Sequence, residues 1–133
     1  MRLTMLARNT SGLRAKLEAR TARQKARQLK AAQDAGEEEH AVVVSLANRD
    51  TGYMASRTRL EFTRGGYNYA VGYRAEDFIG QTNPVTGRPI TSFYPVYVIQ
   101  GTRRYAGNDF LSAARRIMRP RVLRRYSDAL SGR

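Results

Sequence analysis

Residues 13–33, LRAKLEARTARQKARQLKAAQ, decide the first part of the fold. The stretch contains neither proline nor glycine, and most of its residues are strong helix formers. Five apolar residues recur at spacings of four, three, four and three and so share one helix face: Ala15, Ala19, Ala22, Ala26 and Leu29. Alanine buries little apolar area, at about 25 cal/mol per Å². We therefore predict a helix that projects or is completed by another subunit.

The pattern changes at Gly36, which interrupts the helical stretch and is followed by three acidic residues at 37–39. Acidic side chains are favourable at the positive N-terminal end of a helix. We predict a second helix over residues 37–48, or a continuation of the first helix after a kink. The β-branched run at 42–44 favours a strand instead, because such side chains are stiff in helices.

A β-hairpin is predicted over residues 53–74. It follows the turn signal Asp50-Thr51-Gly52, and its own turn lies at Gly65-Gly66. In its second strand four apolar residues alternate strictly with other residues and are expected to form the buried face: Tyr67, Tyr69, Val71 and Tyr73.

Two segments without a helical pattern come next. Residues 75–91 contain two glycines and two prolines, which predicts a long exposed loop. Such loops are usually functional or disordered. Residues 93–99 are aromatic and β-branched around Pro95, which favours an edge strand or a short irregular segment.

A final helix is predicted from Asn108, as N-cap, onward. Its apolar face consists of Phe110, Leu111, Ala114, Ile117 and Met118, and Pro120 is expected to kink or end it. Together these elements predict an α+β domain with a long N-terminal helical region, a small antiparallel sheet, a long loop and a C-terminal helix. A chain of 133 residues has room for one modest core.

Charge is concentrated at the two ends of the chain. The formal net charge is +13, and 21 of the 24 basic residues are arginine. Residues 1–30 hold nine bases and one acid, residues 101–133 hold nine bases and two acids, and residues 31–100 hold six bases and eight acids. Guanidinium groups suit forked contacts to phosphates or carboxylates. Two alternatives stay open: coding bias on a solvated face, and an arginine-rich organelle-targeting segment at residues 1–33.

No catalytic constellation is visible in the sequence. The absence of cysteine excludes disulfides, thiolate chemistry and cysteine-ligated zinc. His40 is the single histidine, and the three consecutive acids at 37–39 would point in different directions on a helix. No glycine-rich phosphate loop occurs, and the longest apolar run, 41–44, is far short of the roughly 20 residues that span a bilayer. We predict no enzyme, no cofactor, no metal site and no membrane partner.

Four segments, taken in order, resemble a known family. They are Asp50-Thr51-Gly52-Tyr53-Met54-Ala55-Ser56, Ala70-Val71-Gly72-Tyr73, Tyr97-Val98-Ile99-Gln100-Gly101-Thr102 and Asp109-Phe110-Leu111-Ser112-Ala113-Ala114. Their order and spacing over about residues 12–130 are similar to those of the tail-completion and head-to-tail joining proteins of long-tailed phages, the group that includes minor tail protein Z. Two departures are Ile99-Gln100, where the family carries an acid before Gly-Thr, and Asp109, where it carries proline.

The resemblance implies a structural protein of the virion, assembled in the host cytoplasm. It implies a homo-oligomeric ring, expected to be hexameric, between the head-completion or stopper protein and the tail tube or tail terminator, with DNA crossing the lumen. Residues 1–35 would be a basic helical arm, and residues 36–133 would be the ring-forming domain.

Two sets of contact residues are predicted. Basic faces that meet acidic virion proteins or DNA consist of Arg14, Arg20, Arg23, Arg27, Arg115, Arg116, Arg119, Arg124 and Arg125. Contacts with other subunits or neighbours are expected at Thr51, Gly52, Asn83, Arg88, Gln100, Gly101, Thr102 and Phe110. The alternative function is that of a small basic nucleic-acid-binding protein, ribosomal or nucleoid-like, for which a high positive charge is the expected footprint.

Overall fold

The computed structural model describes residues 2–47, 52–104 and 106–132. Four helices are α1 (Arg2–Leu46), α2 (Tyr53–Ser56), α3 (Pro95–Gln100) and α4 (Phe110–Ser131). Two strands, β1 (Arg59–Thr63) and β2 (Asn68–Gly72), form an antiparallel sheet, and short 3₁₀ turns lie at Arg64–Gly66 and Ala75–Asp77. The predicted α+β class is confirmed.

Helix α1 runs without interruption through Gly36, so the predicted break at this residue is wrong. Gly36 is buried, and a Cβ atom at this position would lie 2.9 Å from Leu60 Cδ1 and 3.2 Å from Tyr69 Cγ. The glycine therefore lets the hairpin approach the helix backbone closely. The β-branched run at 42–44 is also helical, because Val43 is buried in the core and packing outweighs local propensity.

The alanine face that the spacing singles out is not the buried face of α1. Ala15, Ala19, Ala22 and Ala26 are exposed, as is every residue from 12 to 23. The buried alanines of this helix lie farther along it, at residues 31, 32 and 35. Residues 12–23 of α1 therefore project beyond the packed elements, and the helix continues unbroken across the expected arm boundary at residues 35–36.

The hairpin is present and shorter than predicted. Residues 53–56 form helix α2 rather than strand, and the paired segment runs from Arg59 opposite Gly72 to Thr63 opposite Asn68. Burial alternates along β2 as expected, since residues 69 and 71 are partly buried and residues 68 and 70 are exposed. The sheet therefore packs one face against α1. The turn signal before the hairpin lies largely outside the described residues, which resume at residue 52.

Phe78 occupies the centre of the core. It is fully buried, and its ring makes edge-to-face contacts at centroid distances of 5.0–6.0 Å with four other rings, those of Tyr53, Tyr73, Phe93 and Tyr94. The prediction of a wholly exposed loop at 75–91 is thus wrong at both ends, because Ile90 is buried as well. Backbone hydrogen bonds from Gly80 N to Ile90 O (2.9 Å) and from Ile90 N to Gln81 O (2.7 Å) close the segment, so that both ends face the core.

Residues 95–100 form helix α3, and the predicted edge strand at 93–99 is wrong. Pro95 takes the first helical position, where its fixed φ angle is preorganised and its missing N–H costs no hydrogen bond. The β-branched residues that follow are accommodated in this short helix.

Helix α4 begins one residue later than predicted and passes through Pro120. Asp109, not Asn108, is the N-cap, and its Oδ1 accepts a hydrogen bond from Ser112 N at 3.0 Å. Pro120 lies on the exposed side of the helix, and the helix continues beyond it to residue 131. Helix α4 runs antiparallel to α1, because residue 121 contacts residue 38 near one end and residue 129 contacts residue 27 near the other.

The close approach at Gly36 gives a testable prediction. Gly36→Ala should lower the free energy of unfolding by about 1–2 kcal/mol, because overpacking against Leu60 and Tyr69 exceeds the gain in helix propensity. Gly12→Ala is the matched control in the same helix, since nothing lies within 4 Å of its added Cβ, and it should stabilise the protein by up to about 1 kcal/mol. Urea unfolding measures both, and equal stabilisation by the two variants would contradict the close approach.

Candidate functional site

The seam between α1 and α4 is held by an acidic stripe on one helix and an arginine pair on the other. Glu38 accepts hydrogen bonds at 2.7 Å from both Arg121 Nη1 and Arg125 Nη2. Asp34, one turn away on α1, lies 3.9 Å from Arg125. Hydrogen bonds from Arg125 and then Arg121 hold the pKa of the Glu38 carboxyl below its usual value. These contacts join α4 to α1 near the middle of the seam.

Arg27 closes the far end of the seam. Its Nε donates a hydrogen bond at 3.2 Å to the carbonyl of Ala129, near the end of α4. The last carbonyls of a helix lack partners within it, and a cation is favourable beside them. A shallow groove between the helices is lined here by Arg27, Lys30, Ala31, Asp34, Arg125, Asp128 and Ala129.

The predicted basic contact residues thus divide into two groups. Arg27 and Arg125 are partly buried and make contacts within the chain. Arg14 is exposed and pairs with Glu18 at 3.2 Å, one helical turn away. The remaining six are exposed, and none of them pairs with an acidic side chain among the described residues: Arg20, Arg23, Arg115, Arg116, Arg119 and Arg124.

On α4 the unpaired arginines share the outer surface with apolar side chains. Arg116, Arg119 and Leu123 follow one another at spacings of three and four on the side opposite the buried Ala114 and Met118. Leu123 is 61% exposed. This outer face, like residues 12–23 of α1, is basic and is exposed within the described part of the chain.

The residues predicted to contact other subunits lie mostly in turns. Thr51 is outside the described residues. Gly52 has a φ of 71° and caps α2. Asn83 closes the tip of the 79–90 loop, since its Oδ1 accepts a hydrogen bond from Val85 N at 2.9 Å. Arg88, in the same loop, is exposed.

The Gly-Thr segment forms a tight crossing of the chain. Gly101 has a φ of 87°, and a Cβ on this residue would clash with the backbone nitrogen of Gly107. Thr102 is exposed, and its Oγ1 accepts a hydrogen bond from Arg104 N at 3.3 Å. Gln100 is exposed at the end of α3.

Phe110 is the exception among the predicted subunit contacts. Its side chain is buried and packs in the core, so it offers almost no surface to a neighbour. The residue begins α4 with its ring turned inward, where it contacts Tyr73 edge to face at a centroid distance of 6.1 Å.

Segments that carry the family resemblance converge on one cluster. Met54, Val71, Val98 and Phe110 come from the four different segments and pack in the same hydrophobic core. In this chain the ordered segments therefore build the body of the fold, and their glycines shape its turns.

Polar contacts away from the seam involve an ion pair beside the sheet, a buried acid and the single histidine. Arg59 contacts both carboxylate oxygens of Asp77, at 2.5 and 2.6 Å, which keeps the pKa of Asp77 below its usual value. Glu39 is buried beside the hydroxyl of Tyr69, whose pKa is raised by burial and then by this carboxylate. His40 is half-buried and donates from Nε2 to the carbonyl of residue 58 at 3.0 Å, which links α1 to the residue before β1.

Metal clusters and membrane-spanning helices are not found among the described residues. No group of three histidine or carboxylate side chains in this part of the chain converges closely enough to hold a metal ion. Across residues 2–47, 52–104 and 106–132, no helix has an apolar stretch long enough to cross a membrane.

The partnership of Glu38 with Arg121 was not predicted from the sequence. A signal was present, because Asp34 and Glu38 on one helix and Arg121 and Arg125 on the other are each four residues apart. Matching acidic and basic pairs at this spacing mark two helix faces that can meet. Recognising the match requires knowing that α1 and α4 are adjacent.

Comparisons of the chain with protein-family models, with curated proteins and with solved structures found no match.

The Glu38 pair predicts a pH-dependent stability. At pH 7, Glu38→Gln should lower the free energy of unfolding, because it removes the charge that pairs with Arg121 and Arg125. The expected loss is only about 1 kcal/mol, because solvent screens a partly exposed ion pair. The folded-state pKa of Glu38 is lowered, so the contribution is complete above the unfolded pKa, about 4.3, and is lost as the pH falls toward the folded value. The difference between wild type and variant should therefore shrink below about pH 4.

Glu18→Gln is the matched control, since it removes a carboxylate from an exposed pair within one helix. It should change stability by less than about 0.5 kcal/mol. Urea unfolding at several pH values measures both variants, and an equal effect of the two would show that the seam does not depend on Glu38.

Proposed function

We propose that this protein is a structural joining protein of a long-tailed phage virion, which forms a ring between the head connector and the tail. The observation that carries the proposal is the ordered set of segments that resembles the tail-completion and joining proteins. Support comes from their packing, since Met54, Val71, Val98 and Phe110 meet in one core and so belong to one folding unit. DNA would cross the lumen of the ring.

The incompleteness of a single copy also supports this function. Residues 12–23 of α1 are all exposed, and Leu13 and Leu17 are 57% and 53% exposed within the described chain. Most helix stability in proteins comes from tertiary packing, so contact with a neighbour would stabilise this part of α1. Head-to-tail contacts among like subunits close into a ring when the rotation allows it.

Charge sets a condition on any such ring. Six copies would carry about +78, which needs opposite charge nearby. The unpaired Arg115, Arg116 and Arg119 on the outer part of α4 would meet this condition by facing acidic virion proteins or the DNA.

A second candidate is a small nucleic-acid-binding protein. It is favoured by the exposed arginines on α4 and on the first half of α1, since such residues neutralise phosphates and supply sequence-independent affinity. The two functions differ in assembly and in salt dependence.

Mass measurement at low and high salt, with and without duplex DNA, separates the two functions. A joining protein should form a ring, or stay monomeric until it meets the tail, and should bind DNA weakly. Tight binding of DNA by a monomer or dimer, falling by about 10³-fold or more between about 50 and 200 mM salt, would overturn the proposal in favour of the second candidate.

Charge reversal tests the role of α4 in joining. Arg115→Glu with Arg119→Glu should reduce the yield of joined particles at least about tenfold in an assembly reaction of separate heads and tails, because two attractive contacts become repulsive. The control is Arg115→Lys with Arg119→Lys, which retains the charge and should retain much of the activity. Thermal unfolding confirms that both variants fold, and an unchanged yield from the folded charge-reversal variant would contradict this role.

A further inference from the structure

Two lines of side chains run along α1 and are covered only over its second half. The first line faces α4 and consists of Lys16, Arg20, Arg23, Arg27, Lys30, Asp34 and Glu38, at spacings of four and three. Its last two members meet the arginines of α4, and its middle member, Arg27, meets the end of that helix. The first three members lie beyond that end and are exposed.

The second line continues the buried alanine face of α1 toward the start of the helix. Ala31 and Ala35 are buried. Steps of three and four residues back from Ala31 keep to the same side of the helix. The line formed by these steps runs through Gln28, Gln24, Thr21, Leu17 and Leu13. Both glutamines are partly buried, whereas both leucines are more than half exposed and have no cover among the described residues.

The covered half of α1 shows what kind of surface fits these two lines. There, α4 places Ala129 in the groove with Ala31 and places arginines on the acids of α1. Beyond the end of α4 the second line reaches the two exposed leucines, and the charged line contains only bases. A helix that packs on the first half in the same manner must present apolar residues to the leucines and acids to the bases.

We propose that the first half of α1, at Leu13, Leu17, Lys16, Arg20 and Arg23, is a docking surface for an acidic amphipathic helix of a neighbouring protein. Charge complementarity argues for this occupant. The exposed part of a second α1, or a second α4, would bring further bases against the surface, since residues 12–30 hold seven bases and one acid and α4 holds six arginines and one acid. Nucleic acid would engage the bases and leave the leucines in water. The proposal rests on the proposed function only in taking the neighbour to be a virion protein.

A synthetic peptide provides the probe. It is a helix of three heptads with Leu and Ala on one face and Glu on both flanks, labelled for fluorescence anisotropy with the full-length protein. The same peptide with Lys in place of Glu, and a duplex DNA of similar length, are the comparison ligands. The acidic peptide should bind at least about tenfold more tightly than the lysine peptide, because charges of opposite sign would face each other across the interface.

Two double variants test the two lines separately. Leu13→Ala with Leu17→Ala, and Arg20→Ala with Arg23→Ala, should each weaken binding of the acidic peptide about tenfold, and both preserve helix propensity. Ala15→Gln with Ala19→Gln is the matched control on the face opposite the leucines and should change affinity less than about twofold. Circular dichroism checks that each variant retains its helix.

Four results would overturn the proposal. They are no binding of the acidic peptide, binding that is insensitive to the leucine pair, equal binding of the lysine peptide, and tighter binding of duplex DNA that depends on the arginines alone. Self-association that the leucine variant abolishes would also overturn it and would assign the surface to a second copy. Failure of the proposed function is recognised separately, because joined particles would then form without this protein whether or not the peptide binds.

Discussion

Helix α1 is longer than the helix and the hairpin that pack against it, and this difference in length determines which of its residues are buried. It has 45 residues, or about 68 Å at 1.5 Å per residue, whereas α4 has 22. The hairpin and α4 both lie against the second half, where Ala32 and Ala35 are fully buried. Residues 12–23 have no such cover. The body is therefore a folded unit on the second half of a helix whose residues 12–23 extend beyond it and are exposed.

Two points of close packing hold the body on the helix. Gly36 lets the hairpin reach the backbone of α1, and Phe78 contacts four aromatic rings from three other segments at the centre of the core. Neither is a feature of a regular pattern. The first is the absence of a side chain, and the second is a single ring in a segment rich in turn residues. Together they explain how a small two-stranded sheet is stable against one helix face.

Long regular elements are easier to predict from this sequence than contacts are. Helix formers over 13–33 and strict alternation in β2 identify a helix and a strand, because each pattern reflects one local periodicity. Gly36 misleads, since a glycine that breaks an isolated helix also permits a close approach in a packed one. Pro95 misleads in the same way, because it both weakens a strand and begins a helix. The exposed alanine face shows that spacing finds a face without saying whether another element covers it.

The candidate contact residues also include some that the sequence identifies and some that only the tertiary structure identifies. Sequence counting locates the basic ends, and six of the nine predicted arginines are exposed and unpaired among the described residues. Arg27 and Arg125 cannot be distinguished from them by sequence, because their partners, Ala129 and Glu38, are far away along the chain. Phe110 is similar, since an apolar residue at the start of a helix fits a core or an interface equally well. Tertiary contacts alone decide these cases.

The side of α1 that faces α4 changes from basic at Arg27 and Lys30 to acidic at Asp34 and Glu38, and this change favours one position of α4 along α1. If α4 slid two turns toward the start of α1, Arg125 would leave Glu38 and Asp34 and approach Lys30 and Arg27. Like charges at contact distance are repulsive, and two favourable hydrogen bonds would be lost as well. The acids at the second half therefore attract α4, and the bases beyond them keep it from sliding. One stripe thus fixes a contact inside the chain and leaves its remaining length available to a partner of opposite charge.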